Sequence, residues 1–484
     1  MCYGRRKKIQ KRKVIWVLHL VLFIIYILLI LMVIFVERKR PTEALLWVVI
    51  MIFLPYFGTI LYLVFGSTVA IKLTAVIRKK KLKTQPYNVE LLPSVSVDEG
   101  QLSEADLQVV RFNTVYNASV LTCCNKAEFY TNGKSHYTQL FKDIRDAKTC
   151  IFIEFYTIHH DMVGEKLAEL LAQKAKEGVE VWVMCDFIAN LSTPKKMFQP
   201  LVDAGGKVVR VKPYFTHYRS HRKIVSIDQK IAYIGGMNIG KQYANMDAVK
   251  NPWRDTQIRL EGACTSVLNT YFLKDWLCSI RRCDWQHAIG YINGMKAENY
   301  DRTSSLCQFI VGGADTDKEA VKMCYLSMIR SAKTRIRIQS PYFIPDASVL
   351  DALKTAAASG VEIELMIPGI KASFFLDPVT NYYSGQLLEY GTKVYKYKGY
   401  IHAKTMIIDD ELCCVGSVNM DMRSLMVDDE VCGVFYENKL VQEYSQIYDK
   451  DISECISYTW EQFQCRSRKE RAMESIFLPF APLM

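Results

Sequence analysis

Between residues 150 and 420 the chain repeats itself, and this repeat limits its fold more than any other feature. The first copy begins with an apolar run, CIFIEFYTI (150–158), followed by a helical pattern with Val163, Leu167, Leu170 and Leu171 on one face. A second run, EGVEVWVMCD (177–186), completes that unit. The later copy reads TRIRIQSPYFI (334–344), a helix with Val349, Leu350, Leu353 and Ala357 inward, then SGVEIELMIP (359–368). The next pair, DAGGKVVRVK (203–212) and EYGTKVYKYK (389–398), stands in register at a shift of 186. Strand, helix and strand in each copy, with strands of buried type, predict α/β units around largely buried sheets. Two such halves packed as a pseudo-twofold pair leave a cleft where they meet.

Each half then presents one polar constellation. The first is HRKIVSIDQKIAYIGGMN, with His221, Lys223, Asp228, Gly235, Gly236 and Asn238. The second is HAKTMIIDDELCCVGSVN, with His402, Lys404, Asp409, Gly416, Ser417 and Asn419. Both fit H-x-K-x4-D-x6-G-[GS]-x-N. On a strand, side chains two apart share a face, so His221 and Lys223 point together, as do His402 and Lys404. A neutral imidazole is a competent nucleophile near neutral pH, and a second can serve as acid and base. Lysine ammonium and asparagine amide groups suit non-bridging phosphate oxygens and the charge they carry in the transition state. The small Gly-[Gly/Ser] pair lets backbone approach closely. Together the halves supply what double displacement at a phosphodiester needs without metal. No P-loop and no H-E-x-x-H motif is present, so neither nucleotide nor zinc chemistry is indicated.

The other end of the chain is apolar. Residues 14–36 carry no formal charge, and at about 1.5 Å per residue they span a bilayer core of roughly 30 Å. A second apolar stretch, 44–65, contains Pro55 and Gly58, and only ERKRPTE separates the two. This predicts a transmembrane hairpin rather than a cleaved signal peptide, because the first run is too long and lacks a small-residue cleavage site. Seven basic residues precede the first stretch, six follow the second and three lie between, which places both ends and the large C-terminal part in the cytoplasm. The basic run Arg78 to Lys83 reads either as a solvated spacer or as attraction to anionic headgroups. The following stretch, 84–100, reads as a linker.

A formal charge of +12 suits an anionic partner, and beside membrane segments that partner is an acidic lipid surface rather than nucleic acid. The fifteen cysteines are odd in number and irregularly spaced, which fits reduced, buried thiols rather than disulfides or zinc. His159-His160 reads as a loop beside the first strand rather than a metal pair. His217 and Tyr214 precede the first motif as candidates for the cleft wall. The tail SIFLPFAPLM touches lipid or packs on the domain.

The paired H-x-K-x4-D motifs resemble those of the phospholipase D superfamily. With the apolar N-terminal segments, PWRDTQIRLEG (252–262), NMDMRSL (419–425) and the closing FAPLM, the chain is similar to bacterial cardiolipin synthases from end to end. The resemblance implies two phospholipase D-like α/β/α halves in pseudo-twofold arrangement, preceded by a transmembrane helical hairpin. The divisions are an anchor at 1–70, a basic juxtamembrane segment and linker at 71–105, and halves at 106–310 and 311–484.

The implied reaction is phosphatidyl transfer between two phosphatidylglycerols, giving cardiolipin and glycerol, with no cofactor. Hydrolysis, or transfer to another alcohol, is the alternative. His221 would attack phosphorus, and His402 would serve as acid and then base. Lys223, Lys404, Asn238 and Asn419 would bind phosphate, and Asp255 and Glu430 would hydrogen-bond the histidines. Asp228 and Asp409 belong to the catalytic motif and are expected to act structurally rather than as proton carriers, although either carboxylate can raise a neighbouring imidazole's pKa. The resemblance also implies a bacterial cell membrane location with a cytoplasmic catalytic part. Two places depart from the family pattern: Asp428 stands where relatives carry Asn, and residues 369–391 match loosely.

Overall fold

The two halves join edge to edge through strands that begin each of them. In the computed structural model, which describes residues 2–37, 41–83, 102–212, 218–246, 252–281, 285–293, 305–313, 319–436 and 438–484, these are β1 (Thr122–Tyr130) and β8 (Ser305–Gly312), paired antiparallel. The first half continues with β2 (Cys150–Phe155), β3 (Glu180–Asp186), β4 (Lys207–Val211), β5 (Ile224–Ile227), β6 (Ile231–Gly235) and β7 (Gln257–Glu261). The second has β9 (Arg335–Gln339), β10 (Glu362–Pro368), β11 (Lys393–Tyr397), β12 (Thr405–Ile408), β13 (Leu412–Gly416), β14 (Glu430–Phe435) and β15 (Cys455–Tyr458). Their order is β15-β11-β10-β9-β12-β13-β14-β8-β1-β7-β6-β5-β2-β3-β4, one 15-stranded sheet in which the repeats run outward from the seam.

In each half three strands are parallel (β2-β3-β4 and β9-β10-β11), and the strand after the histidine runs against the innermost of them. All six residues of β2 are buried, which is why it reads as a continuous apolar run instead of alternating. The first half packs an outer hydrophobic cluster of its own, the outer cluster of the second half also takes in Val109, Val110 and Leu121, and a third cluster draws on both. Phe152, Trp182, Phe272 and Trp276 from the first half share it with Met366, Ile407, Tyr444 and Tyr448 from the second. A core common to both repeats leaves neither half able to close its interior alone.

The pairings Glu154↔Ile224 and Gln339↔Thr405 set where the motifs lie. They put the amino ends of β5 and β12, and the histidines just before them, at the carboxyl ends of the parallel strands. Open α/β sheets carry their ligand crevices at that end. The motif aspartates go to the other end, seven residues away, or roughly 23 Å at about 3.3 Å per residue. Asp228 (φ 52°) and Gln229 (φ 57°), like Asp409 (φ 53°) and Asp410 (φ 58°), form hairpin turns with two successive left-handed residues. The turns are closed by Lys230 N–H to Ile227 O and Glu411 N–H to Ile408 O, each 3.0 Å.

Asp228 accepts from the backbone N–H of Lys148, Thr149 and Cys150 and from the Thr149 hydroxyl at 2.7 to 3.0 Å. Asp409 repeats this with Lys333, Thr334 and Arg335. Asp228 and Asp409, which belong to the catalytic motif in sequence, thus each tie a hairpin to the start of the neighbouring strand.

The chain divides into a larger unit from Ala75 onward, holding both repeats, and a smaller one before it. In the smaller unit one helix, Ile15–Val36, is long and apolar enough to cross a bilayer. The stretch 44–65, expected as the second span, is not one continuous helix. It breaks at Leu54 (φ −129°, ψ 67°) into Pro41–Phe53 and Pro55–Leu61. Pro55 has no N–H for the carbonyl four residues back, and its ring clashes there. That carbonyl, Met51 O, instead accepts from the Tyr26 hydroxyl at 3.0 Å. Val33, Trp47, Met51 and Tyr62 are buried together around the break.

Asp228→Ala should lower the unfolding free energy by about 1–3 kcal/mol, with turnover retained in the folded fraction. Asp228→Asn, which tolerates the left-handed backbone, should cost less. Burial raises the Asp228 pKa, but the N–H and hydroxyl donors outweigh it and hold the group below its ordinary value. Its contribution is thus present above the unfolded carboxylate range and lost as pH falls through the lowered folded pKa. Thermal melts in detergent against pH check this; a fully folded, inactive Asp228→Ala protein would put the carboxylate back into the chemistry.

Candidate active site

A histidine on a strand end can rotate, so a site that depends on one ring nitrogen needs something to hold the other. Here each holder comes from the opposite half. Ser220 bridges Asp429 in parallel, His221 N–H donates to Asp429 O at 2.9 Å, and His221 Nδ1 lies 2.8 Å from Glu430 Oε1. In the mirror arrangement Tyr400–Ile401 pairs in parallel with Trp253–Arg254. His402 N–H donates to Arg254 O at 2.6 Å, and His402 Nδ1 lies 2.6 Å from Asp255 Oδ2. A carboxylate that accepts at Nδ1 keeps the proton there and leaves Nε2 for chemistry. The sequence brings out Asp255 and Glu430, but the crossing between halves is a property of the fold.

The residues around these carboxylates differ. Ser417 donates to the second oxygen of Glu430. At the matching place Gly236 lies so close to Asp255 that a Cβ there would fall 2.2 Å from its Oδ1. Sequence spacing records these two only as a small pair after the motif.

Lys223 and Lys404 are buried, each donating back to the carbonyl of its own motif histidine. Burial pushes Lys223 down to about 8 and Lys404 to about 7, against the pull of Glu430 and Asp255. The histidines are lowered too, His221 well below its usual value and His402 to about 4. Burial is the main cause for both, followed by the motif lysine; Lys404 also acts on His221 and Lys223 on His402. Each motif's cation therefore reaches the other motif's imidazole, as one shared site requires. Burial raises Glu430 to about 7, with Lys223 opposing it. A phosphodiester anion entering among two ammoniums and two imidazoles favours their protonated forms and offsets part of this shift.

The asparagines are not equivalent. Asn238 accepts from Thr157 N–H at 3.3 Å and donates to the Tyr243 hydroxyl at 2.8 Å. Asn419 is buried with its Oδ1 unpartnered. Rings complete the surroundings, and the motif search missed all of them. Tyr156 meets His221 edge-on at 4.8 Å, whereas Trp253, Tyr243 and Tyr400 lie 5.2, 5.9 and 5.9 Å from His402. Proximity in sequence was the available signal for two: Trp253 stands two before Asp255 and Tyr400 two before His402.

The remaining candidates lie elsewhere or are already engaged. The His159 ring has its Nε2 3.5 Å from Gln242 Nε2, and the ring of exposed His160 sits 3.1 Å from Glu165, so the two rings have different partners. Asp428 is paired with Arg423 at 2.9 Å and accepts from Arg219 N–H at 3.2 Å. Tyr214 and His217 lie outside the described residues.

The family described as "Cardiolipin synthase, PLD-like domain" matches residues 140–276 and 325–452, and "Phospholipase_D-nuclease N-terminal" matches 24–67. The major cardiolipin synthase ClsA of Bacillus subtilis is 33% identical, covering 96% of this chain and 98% of that protein. A cardiolipin synthase of Clostridium perfringens is 34% identical over 93% of this chain and 96% of its own. Among solved structures, phosphatidylserine synthase of Haemophilus influenzae superposes with a TM-score of 0.61 at 14% identity, covering 77% of this chain and 97% of that one, a likeness of fold.

If Lys223 and Lys404 hold phosphate oxygens, competitive inhibition by tungstate, which does not titrate at neutral or alkaline pH, should weaken as pH rises from about 7 to 9. That loss falls well below the ordinary lysine range, since each ammonium surrenders its charge early. An inhibition constant unchanged up to a pH of about 9.5, still below the ordinary lysine pKa, would contradict it.

Proposed function

The chain belongs to the cardiolipin synthase family of phospholipase D-like proteins, and from that premise we propose that it joins two phosphatidylglycerols into cardiolipin and glycerol on one site shared by its halves. The observation that carries this is the crossed pairing, in which a carboxylate of the opposite half holds each motif histidine at Nδ1 and leaves its Nε2 for chemistry, beside two buried motif lysines.

In the first step His221 Nε2 attacks phosphorus, forming a P–N bond as the P–O bond to glycerol breaks. His402, protonated at Nε2, gives that proton to the departing glycerol oxygen. In the second step His402 takes a proton from a hydroxyl of the second phosphatidylglycerol. That oxygen attacks phosphorus, the P–N bond breaks, and both histidines return to their starting states. Asp255 and the substrate's negative charge both favour the protonated His402 that the first step consumes. Lys223, Lys404 and Asn419 hold the non-bridging oxygens. Asn238, already bonded on both sides, holds the Thr157 loop and Tyr243 in place unless substrate displaces those bonds. The rings around His402 support transfer over hydrolysis, since they leave apolar surface where water would compete with a lipid hydroxyl.

The chain associates with membrane through its apolar N-terminal helix, and its substrates are phospholipids. The finer reading is a multi-pass anchor in the bacterial cell membrane with the catalytic part cytoplasmic, supported by basic residues thirteen to three in favour of the flanks over the connecting loop.

Purified full-length protein in detergent, given headgroup-labelled phosphatidylglycerol and a chelator, should form cardiolipin and release free glycerol. Phosphatidic acid as the main product would make it a hydrolase, and loss of activity on chelation would contradict a metal-free mechanism. His402→Ala should slow turnover about 10²–10⁴-fold, and His221→Ala should abolish it. Retained turnover in both would overturn the assignment.

A further inference from the structure

Behind their histidines the two halves are charged differently. Arg254 and Asp429 hold matching places: each precedes a histidine-holding carboxylate and gives its carbonyl to a histidine N–H. The helix after each carboxylate strand sends an aspartate toward that place, Asp451 from Asn438–Ser453 and Asp275 from Cys264–Ser279. On one side the charges balance, with the Arg254 guanidinium on Asp451 at 2.6 and 3.0 Å. On the other side the place of the arginine is taken by Asp429, so two carboxylates, Asp429 and Asp275, meet in the interior.

Arg222 answers part of this. It stands where the second motif has Ala403, contacts Asp275, donates to Gly312 O at 2.7 Å and reaches Asp429 at 3.5 Å. One guanidinium still faces two carboxylates. The second comes from outside both repeats. Arg78, in the helix Thr68–Lys83, donates to Asp429 at 2.8 and 3.1 Å, to Asp275 at 2.5 Å and to the Tyr218 hydroxyl. Its side chain is only 7% exposed, so this member of the basic run is neither a solvated spacer nor a headgroup contact. Among the described residues, two cations now alternate with two anions. Removing one member of such a buried set leaves a charge uncompensated.

We propose that Arg78 is a positioning residue of the active site, supplied by the segment that precedes the repeats. It acts through Asp429, whose carbonyl receives His221 N–H and whose neighbour Glu430 holds His221 Nδ1; Arg222 Nε supports the same stretch at Glu430 O, 3.2 Å away. Among the described residues, the repeats therefore carry every reacting group, while the charge set beside the Glu430 segment is completed by Arg78. The Arg254–Asp451 pair behind His402 needs no such supplement.

The inference rests on the phosphatidyl-transfer reading, and cardiolipin formation by the unmodified full-length chain in detergent is the control for that reading. Against this control, Arg78→Ala should lower kcat about 10- to 100-fold, the scale of a small misplacement of a reacting group, with KM for phosphatidylglycerol changed less than about twofold. Adding Asp429→Asn should recover part of kcat, because Arg222 and Asp275 then form a balanced pair. Should Arg78→Ala fail to fold, Arg78→Lys carries the test. A lysine keeps the charge but cannot serve both carboxylates and Tyr218, so kcat should fall at unchanged KM. Undiminished kcat in the variant tested, or a loss in the alanine variant that Asp429→Asn does not relieve, would overturn the proposal. A control chain that makes no cardiolipin would instead remove the functional reading.

Discussion

Everything in this site depends on two hydrogen bonds that cross between halves, His221 with Glu430 and His402 with Asp255. A buried imidazole beside a lysine is pushed toward the neutral form and is free to turn; the carboxylate removes the rotation, and at His402 it also opposes the shift. Because each carboxylate belongs to the other repeat, neither half holds a complete acid-base group. The antiparallel seam of β1 and β8 and the cluster of Phe152, Trp182, Tyr444 and Tyr448 are what bring the reciprocal segments into register. The large shared core thus has a chemical consequence: it sets the length of two hydrogen bonds.

Within this near-symmetric frame the two poles have diverged. His221 faces one tyrosine and, through its surroundings, the Arg423–Asp428 pair. His402 is enclosed by Trp253, Tyr243 and Tyr400, with the Tyr400 hydroxyl 2.9 Å from that of Tyr342. A nucleophile needs access to phosphorus and a stable neutral state. An acid and base that must prefer a lipid hydroxyl to water gains from apolar rings that limit hydration. The difference in environment matches the division of labour proposed for the histidines.

Much of this was legible in the residues because it is periodic or spaced. The α/β halves follow from apolar runs at matching intervals, and the six-position motif places the histidines and lysines. Other features could not be seen in that way. Which carboxylate serves which histidine depends on tertiary crossing. The structural task of Asp228 and Asp409 depends on positive φ and on strand length, which carries them to the far end of the hairpin. The break at Pro55 was present as a residue, but hydropathy over 44–65 averaged it away. Arg78 was hidden in a basic run, and burial separates it from its neighbours. The difference between Arg254 and Asp429 at matching places was visible in the repeat, yet only the contact with Asp275 gives it meaning.

The central claim is that His221 alone carries the phosphatidyl group while His402 moves protons. Rapid mixing with phosphatidylglycerol, quenching in alkali, where a phosphoramidate to histidine survives, and peptide mass spectrometry test this most directly. The account predicts a phosphatidyl adduct on the peptide bearing His221, persisting longer in a His402→Ala protein where the second step lacks its base. An adduct on His402, or cardiolipin formed with no adduct on either histidine, would contradict it.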